Sequence, residues 1–187
     1  MAQVQRGDNM ANFVAFLRGI NVGGHRKIPM ADLRRLCTGL LPDPNVRSYI
    51  ASGNLLFTAD GTAEEIAQRI AAGITAEFGL DVPVLVLSEA EMRAVLAGCP
   101  FPPDAGKAVH AFLCYDTPQL DHDAVETLRV SSEEVTVVDR TVWLYAPDGI
   151  GRSKLAAKLE RFIGAEATAR NLNTLQKMVE MLDQAPG

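Results

Sequence analysis

The apolar residues of this chain alternate between short continuous runs and stretches in which they recur every three or four positions. Short continuous runs are typical of buried strands, whereas the second spacing places the apolar side chains on one face of a helix. In the first half of the sequence the pattern predicts strand, helix, two strands, helix and strand. These segments are 12–17, 29–41, 45–51, 54–59, 62–78 and 82–87. Ser52 and Gly53 separate the two central strands and predict a hairpin, and Thr62 with Glu65 forms a capping box before the second long helix.

The same order returns in the second half, after a predicted helix at 88–97 and a connector rich in Pro and Gly at 98–107. The pattern again predicts strand, helix, two strands, helix and strand, followed by a terminal helix. These segments are 110–115, 120–129, 134–139, 141–146, 151–164, 166–170 and 171–182. The turn between the two central strands is predicted at Asp139 and Arg140.

This repeated order is the split arrangement of the ferredoxin-like class. We therefore predict an α+β protein with two ferredoxin-like (βαββαβ) halves and extra helices. The predicted domains are 10–98, with its trailing helix, and 109–187, with its C-terminal helix, joined by the connector 99–108. Residues 1–9 are expected to be a disordered leader or to precede an alternative start at Met10.

The topology also predicts which loops are neighbours. The loop after the first strand and the turn between the second and third strands lie at the same edge of such a sheet. The sequence RGINVGG (18–24) is therefore expected beside ASGN (51–54). In the second half, DGIGRSK (148–154) is expected near ARNLNT (169–174), where the last strand ends. The fold thus predicts two polar clusters, one in each half.

Composition narrows the classes of protein to consider. The formal net charge of -5 and the pI near 5.2 argue against a protein coated with basic residues for duplex DNA, and leave room only for a local basic patch. No apolar run approaches the ~20 residues that span a bilayer, and the N-terminus lacks the apolar core of a secretory signal. We therefore expect a cytoplasmic protein that does not associate with membranes. The three cysteines are widely spaced without a CxxC motif, which favours buried thiols over disulfides or metal ligands.

The first cluster has the chemistry of an anion site. Its glycines allow positive φ and inward-facing N–H groups, and the cations Arg18 and Lys27 lie near the start of a helix. The side chains of Ser52 and Asn54 add a hydroxyl and an amide that can orient a ligand. The alternative is a structural turn, in which Asn21 bonds its own backbone; neither a Walker A nor a GxGxxG motif is present. The candidate ligand-binding residues are Arg18, Gly19, Asn21, Gly23, Gly24, Lys27, Ser52, Gly53 and Asn54.

The second cluster contains a basic residue and two amides, Arg170, Asn171 and Asn173, which we take as further candidate ligand-binding residues. Arg152 and Lys154 would extend this set into a basic patch. Each has a structural alternative, because Asn171 or Asn173 is a natural N-cap for the terminal helix.

Catalytic and metal-binding patterns are weaker. His25 is the histidine nearest either cluster, no GxSxG elbow accompanies it, and the histidines show no metal-ligand spacing. We therefore expect no metal and no cofactor, and no catalytic residue is assigned.

Four motifs resemble one known family. They are FVAFLRGINVGGHRKIPMADLRRL, VRSYIASGNLLF, GRSKL and TARNLNT, and they occur in the same order as the LRGINVGG, IPM, SGN, SKL and TRNWNT motifs of the bacterial family called domain of unknown function 1697. The resemblance covers nearly the whole chain from Met10. It implies two ferredoxin-like halves and no particular activity. Leu172 stands where the family typically has tryptophan.

We therefore expect a protein that binds a small anionic ligand, phosphorylated or nucleotide-like, at the RGINVGG and SGN cluster. Two alternatives stay open. One is an enzyme that acts on a phosphorylated substrate, which would need a positioned acid or base. The other is an RNA-binding module, because ferredoxin-like sheets bind RNA through aromatic side chains on an open face.

Overall fold

The computed structural model describes residues 10–184, and the predicted leader at 1–9 lies outside this range. The described chain divides into two compact units, with the division between residues 90 and 91. Each contains a four-stranded antiparallel sheet with helices, so the predicted α+β class with two ferredoxin-like halves is confirmed. The division falls at the start of the helix that follows the first sheet. The predicted domains, 10–98 and 109–187 joined by the connector 99–108, remain a prediction.

The first unit has four strands and two long helices in the predicted order. They are β1 (Ala11–Leu17), α1 (Met30–Leu40), β2 (Arg47–Tyr49), β3 (Asn54–Ala59), α2 (Ala63–Phe78) and β4 (Val84–Ser88). The strand order is β2-β3-β1-β4. Because β1 and β2 both run antiparallel to β3, the end of β1 and the turn after β2 meet at one edge of the sheet.

The core of the first unit lies between one face of its sheet and the two helices. Successive side chains of a strand point to opposite faces, and alternate residues of β1 pack with Leu33 of α1 and Ile70 of α2. The predicted capping box is confirmed: Thr62 Oγ1 accepts from Glu65 N at 3.2 Å, and Glu65 Oε2 accepts from Thr62 N at 2.8 Å. The Thr62 N–H and the Thr62 hydroxyl both donate to the Glu65 carboxylate and hold its pKa below the usual range.

The second sheet repeats the arrangement, with strand order β6-β7-β5-β8. The elements after β4 are α3 (Glu89–Ala97), β5 (Val109–Cys114), α4 (His122–Leu128), β6 (Glu134–Val138), β7 (Thr141–Tyr145), α5 (Leu159–Phe162), β8 (Ala167–Asn171) and α6 (Leu172–Asp183). The two residues Asp139 and Arg140 join β6 to β7, as predicted. None of the helices within residues 10–184 is long and apolar enough to cross a membrane.

The terminal helix α6 packs against β5 and β8. The apolar spacing of this helix predicts a buried stripe of Leu175, Met178, Val179 and Leu182. Leu175, Met178 and Leu182 are buried, whereas Val179 is half-buried and Met181 takes the remaining buried position. The helix therefore lies on the sheet a little rotated from the predicted orientation.

One predicted helix is wrong in extent. The segment 151–164 forms tight turns followed by only four residues of α-helix. The Ser153 hydroxyl accepts from Ala156 N at 2.8 Å, and Lys158 N bonds Leu155 O three residues back at 2.9 Å. Side-chain bonds of this kind compete with the α-helical pattern, and i→i−3 bonds wind the chain more tightly. The apolar spacing still serves the core, because Leu155, Leu159 and Ile163 are buried.

The cysteines carry free thiols. Burial raises the pKa of the Cys37 thiol to about 12 and that of Cys114 to about 11, so both stay protonated at neutral pH. Cys99 is half-buried, and its pKa is also raised by burial.

Candidate functional site

The loop between β1 and α1 is a miniature hairpin. The N–H of Asn21 donates to the carbonyl of Arg26 at 3.1 Å, and that of His25 donates to Val22 at 3.1 Å. Gly23 and Gly24 form its tip with φ of 60° and 80°, as a two-residue turn with positive φ at both positions requires. Their N–H groups donate to no acceptor in the described part of the chain. The glycines therefore build a protruding turn whose donors face solvent.

Asn21 fixes this hairpin to the rest of the unit. Its Oδ1 accepts from Ile28 N at 2.9 Å, and its Nδ2 donates to Ile28 O at 2.9 Å and to Ala51 O at 2.8 Å. The last of these bonds reaches the turn between β2 and β3, and Leu17 N also bonds Gly53 O at 2.8 Å. The predicted proximity of RGINVGG and ASGN is thus confirmed. The amide of Asn21 is used within the protein, so its contribution to a site is to hold the loop in shape.

The turn at residues 50–53 is closely packed. A Cβ on Gly53, which has φ +82°, would lie 2.7 Å from Leu17 Cβ and 2.8 Å from Ile20 Cδ1, so only glycine fits. Asn54 is fully buried, and its Nδ2 donates to Tyr49 O at 2.9 Å and to Ser52 Oγ at 3.1 Å. Both residues therefore shape the turn. Ile50, by contrast, is 51% exposed and has φ +50°.

A groove of about 400 Å³ opens where the loop meets the start of α1. Its lining residues are Asn21, Gly24, Lys27, Ile28, Pro29, Met30 and Ala51. Pro29 is the N-cap of α1 and offers no side-chain hydrogen bond to the first turn. The N–H groups at the start of a helix have no acceptor within the helix and carry partial positive charge. Main-chain donors therefore lie at one wall of this groove.

The surroundings of the groove are basic. Residues 18–31 and 44–59 contain no Asp or Glu. The exposed side chains of His25, Arg26 and Lys27 make no hydrogen bond or ion pair within residues 10–184. The nearest acidic residue in sequence, Asp32, lies in the first turn of α1, where its Oδ1 is 3.5 Å from Nη2 of Arg35. The local charge thus favours an anion although the whole chain is acidic.

This basic character is part of a wider asymmetry along the chain. Residues 10–59 contain six Lys and Arg against two Asp and Glu, whereas residues 60–187 contain eleven against twenty. The net charge of the chain therefore hides a positive N-terminal segment, which the overall composition could not reveal.

The predicted residues of the first cluster take different places. Asn21, Gly24 and Lys27 line the groove, and Gly23 lies at the hairpin tip. Arg18 is half-buried and has further contacts within the folded chain, and its N–H donates to Pro83 O at 3.0 Å. Gly19 is exposed with φ +69°.

Sequence reasoning missed four residues of the groove wall, Ile28, Pro29, Met30 and Ala51. Pro29 was a feature of the sequence that could have pointed to this wall, but it was predicted to be the first helical residue. In the structure it is the N-cap, where it makes no side-chain hydrogen bond to the first turn of the helix.

The second cluster separates into structural and exposed residues. Asn171 is the N-cap of α6, and its Oδ1 accepts from Thr174 N at 2.9 Å and Thr174 Oγ1 at 3.0 Å. Asn173 is exposed and lines a cavity of about 440 Å³. Gly149 lines the same cavity, so the predicted proximity of DGIGRSK and ARNLNT is confirmed. Lys107 and Asp104, which sequence reasoning did not select, line it as well.

Arg170 is a buried cation. It is 8% exposed, and its Nη1 donates to Thr168 Oγ1 at 2.9 Å and to Ala169 O at 2.8 Å. Burial lowers the pKa of its guanidinium to about 10. Arg152 and Lys154 are exposed, so the three cations do not form one surface patch.

The aromatic residues of the strands bear on the RNA-binding alternative. The Phe and Trp side chains on the strands are all buried: Phe13, Phe16, Phe57, Phe112 and Trp143. Buried rings are unable to stack on bases as an open ferredoxin-like sheet does, whereas Tyr49 and Tyr145 on the strands are half-buried.

The described residues also offer little for metal or acid-base chemistry. They contain no group of three His, Cys, Asp or Glu side chains placed to hold a metal ion. His25 is exposed at the base of the hairpin turn, and no carboxylate orients it within residues 10–184.

Comparisons with known proteins place the fold in context. No curated protein matches the sequence. Among solved structures, the conserved bacterial protein SP0830 from Streptococcus pneumoniae is similar, with 27% sequence identity and a TM-score of 0.70. The alignment covers 92% of this chain and 99% of that one, so the likeness extends over both units. The sequence profile of the family described as "Protein of unknown function (DUF1697)" matches residues 10–143, well over half of the chain. The resemblance expected from the four motifs is confirmed, and this chain belongs to the family of proteins of unknown function DUF1697.

Proposed function

We propose that the groove at the start of α1 binds a small anionic ligand through a phosphate or carboxylate group. The observation that carries the proposal is that the first turn of α1 has no side-chain cap and borders a groove that contains Lys27. Helix N-termini bind anions through free N–H groups and the helix dipole. The absence of Asp and Glu from residues 18–31 and 44–59 supports the proposal.

The residues take distinct roles in this proposal. The N–H groups of Gly24 and of the first turn of α1 donate hydrogen bonds to the anion, and Lys27 supplies the positive charge. Asn21 holds the loop against the turn at 50–53, which keeps the donors in place before a ligand arrives. The charge role predicted for Arg18 passes to Lys27, because Lys27 lines the groove.

The experiment is a calorimetric titration of the full chain with inorganic phosphate, sulfate and acetate, repeated with Lys27→Ala. A hydrogen bond to a charged group contributes about 1.5–3 kcal/mol, so the variant should bind phosphate about tenfold more weakly or worse. Lys158→Ala is the matched control, because it removes the same charge from an exposed position in the other unit. No binding of any of these anions, or equal weakening by both variants, would contradict the proposal.

A further inference from the structure

Strand β6 forms an accessible edge of the second sheet. The strand order β6-β7-β5-β8 places β6 at the end of the sheet, and within residues 10–184 it pairs with β7 alone. A strand in this position presents a row of N–H and C=O groups that no neighbouring strand uses. We propose that β6 binds an extended peptide with basic ends, which adds a strand to the second sheet. This edge lies in the other unit from the anion groove, so the proposal does not depend on that groove.

The other edge strands of the described residues are short or buried. Strand β2 has only three residues, and most residues of β4 and β8 are buried. By contrast, none of the five residues of β6 is buried, and Val137 is 38% exposed. Gly98 lies close to one end of the strand, because a Cβ on this glycine would lie 3.3 Å from Val138 Cγ1. The open stretch of the edge is therefore 134–137.

The sequence of β6 lacks the features that protect sheet edges. Native proteins protect an exposed edge with proline, with lysine, with a β-bulge or by keeping the strand very short. The strand reads EVTVV and contains neither proline nor a basic residue. Its register with β7 runs without a bulge, from Glu134 opposite Tyr145 to Val138 opposite Thr141. The β-branched residues of its centre favour pairing with a further strand.

Two carboxylates flank the open stretch of the edge. The side chains of Glu134 and Asp139 are exposed, and neither makes an ion pair within residues 10–184. The nearby cations have partners of their own. Arg129 bonds both carboxylate oxygens of Glu126 at 2.8 Å, and Arg140 Nη2 lies 3.6 Å from a carboxylate of α3. Both ends of the strand can therefore bind a cation of a partner.

The same carboxylates argue against a second copy of β6 as the occupant. In an antiparallel pair of two β6 strands, the start of each strand lies beside the end of the other. Glu134 would then lie near Asp139 of the other copy, and like charges that face each other across two strands destabilise the pair. A segment with a β-branched centre and Lys or Arg at each end places opposite charges there instead. The charge of the edge thus selects a basic-ended peptide, which binds through its main chain as in other cases of strand addition.

The test uses the peptide Lys-Thr-Val-Thr-Val-Thr-Lys and its counterpart with glutamate at both ends, titrated against the full chain by fluorescence anisotropy. The basic-ended peptide should bind at least about tenfold more tightly. The double variant Glu134→Gln with Asp139→Asn should reduce this preference severalfold, and asparagine tolerates the φ of +49° at residue 139. Val137→Lys should abolish binding, because lysine protects an edge strand. Val130→Lys is the matched control and should bind as the parent does, since Val130 is 53% exposed and lies outside the strand.

Amide hydrogen exchange locates the contact. The basic-ended peptide should slow exchange at those N–H groups of β6 that face away from β7, and should leave the edge strand β2 unchanged. Equal binding of the two peptides, no binding of either, or slower exchange only outside β6 would overturn the proposal. Sedimentation without peptide tests the other occupant. A dimer that Val137→Lys dissociates would assign this edge to a second copy of the chain, and would also overturn the proposal.

Discussion

The two units close the same arrangement of strands with connections of very different length. Residues 18–29 join β1 to α1 in the first unit, whereas the shorter segment 115–121 joins β5 to α4 in the second. The turn between the central strands spans residues 50–53 in the first unit and only 139–140 in the second. A ferredoxin-like unit can therefore form without the long hairpin loop. The additional residues of the first unit are not needed to connect its strands and helices.

The additional residues also carry more unusual backbone. Seven residues with positive φ lie in the two connections of the first unit: Gly19, Asn21, Gly23, Gly24, Arg26, Ile50 and Gly53. In the equivalent connections of the second unit, Asp139 alone among the described residues has positive φ. Such conformations are disfavoured for residues other than glycine, so their concentration at one edge of one sheet supports a function there.

The start of the first helix differs in the same way. The N-cap of α4 is Asp121, whose Oδ1 accepts from Ala124 N at 3.0 Å. The N-cap of α1 is Pro29, which has no side-chain hydrogen bond to give. A side chain of the second unit thus caps the start of α4, whereas the N-cap residue of α1 provides no such hydrogen bond.

The largest effect is expected at the packed base of the first unit's turn. Gly53→Ala should lower the free energy of unfolding by about 3 kcal/mol, because the new Cβ meets Leu17 and Ile20 and the φ is positive. Gly24→Ala is the matched control, since its φ is +80° but a Cβ there would have open space. We expect the control to cost about 1 kcal/mol, measured by urea unfolding. Equal losses would show that backbone strain alone, without close packing, accounts for the glycine at 53.

A smaller effect is expected from the bond that joins loop and turn. Asn21→Ala leaves Ile28 N and Ala51 O without their partner and should cost about 2 kcal/mol in urea unfolding. Asn21→Asp keeps the acceptor for Ile28 N but loses both donated bonds. Its loss of unfolding free energy should therefore lie between those of the parent and the alanine variant. A loss indistinguishable from zero in the alanine variant would mean that the long loop is held by other contacts.

The smallest effect has the opposite sign and removes the difference between the helix starts. Pro29→Asp should stabilise the protein by about 0.5 kcal/mol, because Pro29 has the extended backbone (φ -60°, ψ 131°) that an N-cap uses. The new carboxylate would also occupy the donors and repel an anion, so phosphate binding should be lost. Asp121→Ala is the companion variant and should destabilise the second unit by about 1 kcal/mol. Retained phosphate binding in Pro29→Asp would move the anion site away from α1.

The features that were predictable are those that the pattern of apolar residues or the topology determines. Strand and helix positions such as 54–59 and 62–78 were predictable because burial imposes a period on the apolar residues. The proximity of the loop at 18–24 to the turn at 51–54 followed from topology alone. The helix at 151–164 was overestimated because its apolar spacing persists while the Ser153 hydroxyl diverts the backbone bonds.

The roles of individual polar residues were less predictable. An asparagine in a turn has the same chemistry whether it binds a ligand or its own protein, and only the folded backbone shows that Asn21, Asn54 and Asn171 bond within the chain. The left-handed backbone of Ile50 could not be predicted for a similar reason, because the residue type does not reveal a positive φ.

The Asn21 bonds also have a consequence for protein engineering. They fix the base of the hairpin at Ile28 and Ala51. Within residues 10–184, the backbone bond of the segment 22–25 is the one that His25 N donates to Val22 O. The backbone bond of the tip thus lies within the hairpin itself. A peptide inserted between Gly23 and Gly24 should therefore leave the bonds at Ile28 and Ala51 in place, and the thermal midpoint close to that of the parent protein.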